Sequence, residues 1–508
     1  MKSHTPACKL IGLVVATLLL AVLHHPAVNR AVFAVCLAAL LLSRANVKVL
    51  AGALLPVLLV AVGMFSTGYH FHAGAGMPIN AAAQALTALT GWLRELASGA
   101  LALLDRFFRW LFSLFPAPET GSLNLPDPIS AAGGPAGEAV QSSDAVLYVL
   151  AGLVLLAAFW IAREHRDWMN ALERFVSAPI RRSLGSLCYR VSFSVMEVLY
   201  VLAAVLVLAY VVWNITAVVK ARGRRKRRAY SAVLGAVCAG LSVCAATCLL
   251  WGVCYYTDTF QDRSGIRAEE VSLPDLTAVT AWFAENLAQT ADQVPRDEAG
   301  TFNASLNEIF AGSTDIYQGA EDLFPFLEFE DRAPKRMFFS RVMSAMNFTG
   351  VYFAFTGESN INVDAPACLI PSTIAHELSH QRGIASEQEC NFLAVLASTT
   401  SGDPVYEYSG WLMGYIHLGN ALYQADPAAW QAIRDSLPDT VLADLASNNA
   451  YWASFEGAAA DASQKVYDTI LKGYGQEDGI RSYGTVVDLL VAYYRDTART
   501  NGSEGLTT

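Results

Sequence analysis

Two histidines four residues apart stand in the stretch Ile374-Ala-His-Glu-Leu-Ser-His-Gln-Arg-Gly-Ile-Ala-Ser-Glu387. On a helix, positions i and i+4 project from the same face, so the rings of His376 and His380 can reach one metal ion. Glu377 lies about 100° further round the helix, where its carboxylate can hold a water molecule rather than bind the metal. The spacing therefore predicts a helix that carries a catalytic metal site.

A catalytic zinc site needs a third protein ligand and leaves the fourth position to water. The candidates are Glu387 and Glu389, at the start of the next predicted helix. The sequence from Ser386 to Glu389 has the form of a capping box, in which Glu389 folds back onto the amide of Ser386. Glu387 then remains free to face the histidines, so it is the first choice and Glu389 the second. Asn391 shares the face of Glu387 and is placed to hydrogen-bond a ligand.

These residues predict metal-assisted hydrolysis. Zinc lowers the pKa of bound water to about 7, and Glu377 is expected to take the proton as the water attacks a carbonyl carbon. The oxyanion needs a hydrogen-bond donor besides zinc. Each candidate donor is also an ordinary helix residue, and spacing does not choose among Tyr408, Tyr415, His417 and Tyr483. We predict His417 and Tyr483 as catalytic candidates in addition to Glu377.

Pro371 and Ser372 are predicted to open the ligand helix, with Ser372 as its N-cap, and Gly383 to end it. Cys368 and Cys390 flank the histidines in the sequence. We expect both to be buried thiols, with a disulfide between them as the alternative outside the cell.

Basic and acidic residues are distributed unevenly along the 508 residues. Hydrophobic residues make up 54% and charged residues 16% of the chain, which is apolar for a purely soluble protein. Residues 1–257 hold 21 basic and 10 acidic side chains, whereas residues 258–508 hold 14 basic and 35 acidic ones. This predicts a membrane-embedded front half and a water-exposed back half. It argues against a nucleic-acid partner, because nothing in the back half would neutralise phosphates.

Apolar runs predict membrane helices at about 10–23, 31–43, 49–66, 146–162, 198–219 and 231–256. The last three are the clearest spans, with 17 to 26 residues and no charge inside. Residues 80–116 repeat charges among apolar residues and predict an amphipathic helix on the membrane surface, with a core helix of a small soluble subdomain as the alternative. Residues 117–145 are rich in Pro, Gly, Ser and Ala and predict a flexible linker.

The loop Lys220-Ala-Arg-Gly-Arg-Arg-Lys-Arg-Arg228 sets the predicted orientation. It places seven positive charges between the last two spans, and short loops this basic stay in the cytoplasm. The loop at 163–197 is also basic, but it is longer and contains acids, so the 220–228 cluster takes precedence. A multi-pass protein of the cell membrane follows, in contact with the lipid bilayer. Its final span ends at Trp251 and Tyr255 in an aromatic belt, and residues 258–508 are extracytoplasmic.

We predict a mainly α protein, in which N-terminal transmembrane helices precede a mostly helical, zincin-like soluble domain with a small β element. Alternation over 348–355 and 359–364 predicts two strands, and the second is either an edge strand that pairs with an extended peptide or an inner strand. Helical patterns occur near 273–293, 303–311, 335–347, 373–381, 386–398, 406–424, 427–436, 440–472 and 481–496. The predicted domains are 1–70 (membrane helices), 71–145 (surface helix and linker), 146–257 (three-helix membrane segment) and 258–508 (soluble domain).

Four stretches carry a family resemblance, and they are Phe193-Ser-Val-Met-Glu-Val-Leu-Tyr200, Leu250-Trp-Gly-Val-Cys-Tyr-Tyr256, His376 through Phe392, and Tyr467 through Leu490. Together they resemble an uncharacterised bacterial membrane-protein family catalogued as domain of unknown function 3810. The resemblance covers roughly residues 166–500 and implies no activity. The usual Glu-Ala-Asn-Phe of that family appears here as Glu389-Cys-Asn-Phe392.

The pattern from Glu387 to Asn391 is also similar to the third-ligand helix of glutamate-ligated zinc peptidases. In those proteins the first glutamate binds zinc, which implies a ligand role for Glu387. Six residues separate His380 from Glu387, fewer than in most glutamate-ligated peptidases.

The leading functional hypothesis is a membrane-anchored zinc metallopeptidase that acts on peptides or proteins at the extracytoplasmic face. The alternative is a membrane sensor or assembly protein with a structural zinc ion, because six apolar segments and a surface helix exceed what an anchor requires. A transporter with a soluble cap is weaker still, since the clear spans lack interior charges except Glu197 near one end.

Overall fold

The computed structural model describes residues 135–474 and 483–504. The first three predicted membrane helices and the predicted surface helix at 80–116 lie outside the described residues. Within them the chain is mainly helical with one small sheet, as predicted. It divides into two compact units. The first unit comprises the described residues up to Leu187 together with Ala204–Leu250, and the second comprises Cys188–Ala203 and the residues from Trp251 onward.

Three apolar helices account for most of the first unit, namely α1 (Pro135–Ala162), the body of α4 (Val195–Lys220) and α5 (Arg225–Leu250). By length and composition, α4 and α5 are each able to cross a membrane, and Tyr148–Ala162 of α1 is a shorter apolar helix among the described residues. The two spans predicted at 198–219 and 231–256 thus fall largely in helices of spanning length. Residues 135–145 are helical, so the linker prediction is wrong there. The helix contains no proline after Pro135, and Pro135 itself suits a first helical turn.

Two short helices, α2 (Arg166–Leu172) and α3 (Ala178–Cys188), follow α1 and are joined by a π-helical turn. Arg181 of α3 is buried, pairs with Glu173 and donates a 2.9 Å hydrogen bond to the carbonyl oxygen of Leu250. Part of the positive charge in the 163–197 stretch is thus neutralised inside the protein. This weakens the conflict between that stretch and the 220–228 cluster.

The second unit is a helical domain around one large apolar core. The core joins side chains from several helices, including Phe283, Leu378, Phe392, Leu412 and Leu490. Its helices are α6 (Phe260–Ser264), α7 (Leu273–Thr290), α8 (Leu306–Ala311), α9 (Gln318–Leu323), α10 (Ser340–Ala345), α11 (Ile370–Gln381), α12 (Glu387–Thr399), α13 (Pro404–Ala425), α14 (Pro427–Arg434), α15 (Asp439–Ala453), α16 (Ala458–Gly473) and α17 (Tyr483–Glu504).

A three-stranded sheet packs against α11 in the order β1-β3-β2. The central strand β3 (Glu358–Ile361) pairs in parallel with β1 (Lys335–Arg336) and antiparallel with β2 (Gly350–Phe353). All four residues of β3 are buried. The edge-strand alternative for 359–364 is therefore wrong, and β1 and β2 are the two edge strands. The predicted helix at 335–347 is shorter, because residues 335 and 336 form β1 before α10 begins.

The sheet also holds the start of α4, whose first residues belong to the second unit. Lys335 of β1 and Glu358 of β3 form a buried ion pair. The Lys335 ammonium donates to the carbonyl oxygens of Cys188 and Phe193, and the Glu358 carboxylate accepts from the first amides of α4. A negative charge at a helix N-terminus is favourable, so this ion pair fixes the point where α4 leaves the domain.

Candidate metal centre

Helix α11 carries both histidines on one face. The helix begins at Ile370, directly after a tight turn over Ala367–Leu369. Ser372 lies inside the first helical turn and its hydroxyl donates to the carbonyl oxygen of Leu369, so the prediction of Ser372 as N-cap is wrong. Gly383 follows the helix with a φ of 87°, a conformation that favours glycine, as predicted for its C-terminal end.

The Nε2 atoms of both histidines face the carboxylate of Glu387. His376 Nε2 lies 3.2 Å from Glu387 Oε2, and His380 Nε2 lies 3.7 Å from Glu387 Oε1. A tetrahedral metal ion with bonds of about 2.1 Å holds its ligand atoms about 3.4 Å apart. The measured separations bracket that value. The three side chains are therefore placed as ligands of one ion would be.

The opposite ring nitrogens are held by fixed acceptors. His376 Nδ1 lies 2.8 Å from Oδ1 of Asn391, and His380 Nδ1 lies 2.8 Å from the carbonyl oxygen of Ile384. In the tautomer that carries its proton on Nδ1, each imidazole donates to this acceptor and keeps the lone pair of Nε2 for a metal. The turn at Gly383 brings the Ile384 carbonyl into this position. Asn391 lies where the sequence placed it, beside a ligand histidine.

Glu387 reaches the histidines because α12 starts at it. Ser386 precedes the helix and its hydroxyl accepts from the amide of Glu389. Six intervening residues after His380 are thus enough to return the chain to the site. The hydroxyl of Tyr467 in α16 donates a 2.6 Å hydrogen bond to Glu387 Oε1 and orients the carboxylate.

Glu389, the second choice as ligand, is engaged elsewhere. Its buried carboxylate accepts hydrogen bonds from the backbone amides of Phe260 and Gln261. Those amides belong to the first turn of α6, where they have no partner within the helix. The predicted return of Glu389 onto the Ser386 amide is therefore wrong, because the start of α6 competes for the same carboxylate. Of the two candidate third ligands, Glu387 is therefore the one whose carboxylate faces the histidines.

A thiol also lies near the histidines. His376, His380 and Cys390 bring potential ligand atoms within 4.8 Å of one another and could hold a metal ion. The Cys390 sulfur, however, lies 3.4 Å from His380 Nδ1, on the side of the ring that faces Ile384. Burial, together with nearby carboxylates, raises the pKa of this thiol well above its usual value, so it is protonated at neutral pH. The geometry favours Glu387 as third ligand. Cys368 is also buried and free, as expected.

Glu377 lies beside this cluster without a complete set of partners. Its side chain is buried, and its Oε2 atom has no hydrogen-bond partner among the described residues. Burial raises the pKa of Glu377 to about 8, although His376 opposes the shift. A β-carbon added at Gly350 would stand 2.6 Å from Glu377 Oε1. The backbone of β2 therefore closely approaches this carboxylate, and a buried acceptor without a partner is unusual enough to require an explanation such as a bound ligand.

The charges at the site are unequal. Burial lowers the pKa of His380 to about 4, so its imidazole is neutral and its lone pair is available. Burial alone would raise the pKa of Glu387, but His380 and His376 act against it and hold that pKa at about 2. An ionised carboxylate between two imidazoles attracts a cation. Together with the orphaned oxygen of Glu377, the donor set fits a divalent metal ion.

The predicted oxyanion donors lie in different surroundings. The hydroxyl of Tyr408 hydrogen-bonds to Asp444, and the buried hydroxyl of Tyr415 has no partner among the described residues. Burial, with a contribution from His376, lowers the pKa of His417 to about 4. The side chain of Tyr483 lies outside the described residues. Tyr467 was not among the sequence candidates, although it begins one of the family-like stretches.

Aromatic rings line the approach to His380. The ring of Trp251 lies edge-on at 5.5 Å, and the ring of Tyr352 in β2 lies at 6.4 Å. Trp251, predicted to sit in a membrane-surface belt, thus packs against a ligand histidine. At its other end β2 reaches α4, where Phe353 and Tyr200 have ring centroids 5.3 Å apart. Strand β2 therefore runs from the carboxylate of Glu377 to the first turns of an apolar helix.

One comparison places these residues in a family. The family described as "Protein of unknown function (DUF3810)" matches residues 173–491. The chain belongs to this family. The DUF3810 match includes the whole site from His376 to Asn391 and also Tyr467. No curated protein and no solved structure matches the chain.

Proposed function

We propose that this DUF3810 protein is a membrane-anchored, zinc-dependent metallopeptidase that hydrolyses peptide bonds at the extracytoplasmic face. One observation carries the proposal: the Nε2 atoms of His376 and His380 meet the Glu387 carboxylate at 3.2 and 3.7 Å, next to a buried Glu377 with an unpartnered oxygen. Two imidazoles and one carboxylate form the ligand set of many catalytic zinc sites. A helix with this set beside a small sheet supports a zincin-like domain.

The nature of the ligands favours zinc among the common divalent ions. Magnesium and calcium prefer oxygen ligands, whereas imidazole nitrogen suits zinc. When bound by His376, His380 and Glu387, zinc would act as a Lewis acid and lower the pKa of a water molecule. Asn391 and the Ile384 carbonyl keep both imidazoles in the tautomer that this binding requires.

Glu377 is the proposed general base. A carboxylate whose pKa lies near neutrality can accept a proton from water and return it to a leaving amine. Its backbone is also fixed, because Ser359 of β3 donates a 2.9 Å hydrogen bond to the carbonyl oxygen of Glu377. The sheet thus positions the base relative to the two histidines on the same helix.

The edge strand β2 supplies a surface for the substrate. On the side away from β3 it pairs with no other strand among the described residues, so an extended peptide can add there as a further strand. Gly350 lies at the end of β2 that contacts Glu377, so a peptide paired with this strand would carry a carbonyl group past the base. Phe353 at the other end touches Tyr200 of α4. This arrangement favours peptide segments that lie close to the membrane surface.

The membrane orientation rests on α4 and α5. Both helices are of spanning length, and the chain between them contains the cluster of basic residues at 220–228. A cytoplasmic position for this loop puts Val195 and Leu250, at the far ends of the two helices, on the extracytoplasmic side. The second unit contains the residues adjoining both of those ends. We therefore place its metal site outside the cytoplasm.

The decisive experiment compares Glu377→Gln with Glu389→Gln in the full-length protein, purified in detergent. Metal content is measured by mass spectrometry, and hydrolysis with a fluorogenic peptide library. We expect the wild-type protein and Glu389→Gln to hold one zinc ion and to cleave peptides, whereas Glu377→Gln keeps zinc and loses cleavage. Equal cleavage by wild type and Glu377→Gln, or zinc-loaded wild type that cleaves no peptide, would refute the proposed function.

A further inference from the structure

The turn between β1 and α10 presents two phenylalanine side chains to solvent. Phe338 is 86% exposed, more than any other large apolar side chain in the described residues, and Phe339 is 43% exposed. Their rings contact each other edge-on at 5.0 Å. Val342, one helical turn further on, is 52% exposed. We call Phe338, Phe339 and Val342 the phenylalanine tip.

The tip is fixed in place. The backbone amides of Phe338 and Phe339 donate hydrogen bonds of 3.0 and 2.8 Å to the carboxylate of Glu197, which is buried. Beneath the tip, Met337 and Met343 pack with Met196 in a small apolar cluster. The two hydrogen bonds to the Glu197 carboxylate and the packed methionine cluster hold the rings outward. Exposure of a phenylalanine ring to water is unfavourable in free energy. A rigid, exposed aromatic pair is the form of a contact surface.

Glu197 connects the tip with the start of α4. It lies in the first turn of this helix, and the exposed apolar surface of the span begins directly after it, at Val198. Tyr200, Val201 and Leu202 continue that surface within the same compact unit. The tip is therefore held at the level along α4 where side chains that suit lipid begin.

We propose that the phenylalanine tip inserts into the lipid bilayer, next to the outer end of α4, as a second membrane contact of the domain. Glu197 holds the tip beside the first turn of the span, and aromatic rings at this level occupy the boundary between headgroups and acyl chains. Arg341, in the first turn of α10, has a side chain that is 80% exposed, and although its guanidinium lies 4.0 Å from Asp364 Oδ2 it is accessible to an anionic phosphate group. This inference rests on α4 crossing the membrane and not on peptidase activity.

The test is photocrosslinking from the tip in the full-length protein. p-Benzoylphenylalanine replaces Phe338 in one variant and Tyr423 in the control, since Tyr423 is also an exposed aromatic residue, at 54%. Both proteins are placed in nanodiscs of phospholipids that carry an alkyne on one acyl chain, and lipid adducts are counted after irradiation. A third variant with the label at Val342 gives a second reading from the tip if the label at 338 impairs folding.

We expect lipid adducts from positions 338 and 342 and only background from position 423. Adducts to a second copy of the chain or to another protein, without lipid adducts, would show that the tip is a protein interface and would overturn the proposal. Lipid labelling from 338 and 342 no higher than from 423 would also overturn it.

Discussion

The hydroxyl group of Tyr467 donates a hydrogen bond of 2.6 Å to Oε1 of Glu387, across 80 residues of sequence. The acceptor is the carboxylate that faces both histidines. Tyr467 itself packs edge-on against Phe348, at 5.5 Å between ring centroids. The tyrosine is therefore held by packing while its hydroxyl orients a proposed ligand, which makes it a positioning residue for the metal site.

Tyr467→Phe removes this hydrogen bond and keeps the ring. Loss of a hydrogen bond to a metal ligand lowers metal affinity by about 10- to 100-fold, and we expect a decrease of this size in a zinc competition titration against a chelator. Tyr415→Phe is the matched control, because its buried hydroxyl has no partner among the described residues. Equal zinc affinity in the two variants would contradict the positioning role.

The three acidic or thiol candidates for the third ligand make different predictions. Glu387→Gln removes the ionised oxygens that face both histidines, so purified protein should lose its zinc. Glu389→Gln should keep zinc but lower stability by roughly 1–3 kcal/mol, because the new amide leaves a buried backbone donor of α6 unsatisfied. Cys390→Ala should keep zinc, since the thiol lies on the Nδ1 side of His380.

Metal content of the three purified variants decides among these side chains, and thermal melting detects the cost at α6. If Cys390→Ala lost its zinc while Glu387→Gln kept a full zinc ion, Cys390 and not Glu387 would be the third ligand. If Glu389→Gln folded but held no zinc, Glu389 would be the third ligand instead.

Gly350 allows β2 to approach the carboxylate of Glu377, the proposed general base. A β-carbon at this position would lie 2.6 Å from Glu377 Oε1, so Gly350→Ala must displace the base or the strand. A displacement of 1 Å can reduce turnover about 100-fold. We therefore expect kcat to fall by about this factor while zinc content stays at the wild-type level. Gly484→Ala, where the added carbon meets open space, is the control. Unchanged kcat in Gly350→Ala would contradict a displacement of the Glu377 carboxylate by the added carbon.

Many of the helices could be predicted from the sequence, because the spacing of apolar residues indicates a helix from local sequence alone. The predicted helices at 386–398, 406–424 and 427–436 match α12, α13 and α14 within two residues. Strand β1 was missed, since two residues carry no alternation and their pairing with β3 depends on distant contacts. The sequence also did not decide whether β3 is an edge or an inner strand, because that depends on which distant segments pair with it on each side.

In the candidate site, too, the features that depend on local spacing were predicted and those that depend on distant contacts were not. Local spacing was enough to place His376, His380 and Asn391 on facing helical surfaces. It misassigned the partner of Glu389, because the start of α6 lies 128 residues away in sequence and competes for that carboxylate. Tyr467 was missed for the same reason. Its one signal was its position in a family-like stretch, and no chemical pattern surrounds it.

The ion pair between Lys335 and Glu358 should be essential for holding the start of α4. Both side chains are buried, and breaking such a pair from one side costs about 3–5 kcal/mol because the other charge remains buried. We expect Lys335→Met to lower the free energy of unfolding by this amount in detergent. The double variant Lys335→Met, Glu358→Gln should recover part of the loss. A single variant as stable as wild type would exclude a structural role for the pair.

Removal of the metal separates a catalytic site from a structural one. The imidazoles are already oriented by Asn391 and the Ile384 carbonyl, and Glu387 by Tyr467, so the fold does not depend on the ion alone. A ligand present at about 1,000 times its Kd stabilises the folded state by roughly 4 kcal/mol, and chelation should remove no more than this. We expect chelated protein to melt at a lower temperature, to keep its helical circular dichroism at 25 °C, and to regain activity when zinc is restored. Loss of helical signal at 25 °C on chelation would instead support the sensor or assembly hypothesis, in which zinc holds the second unit together.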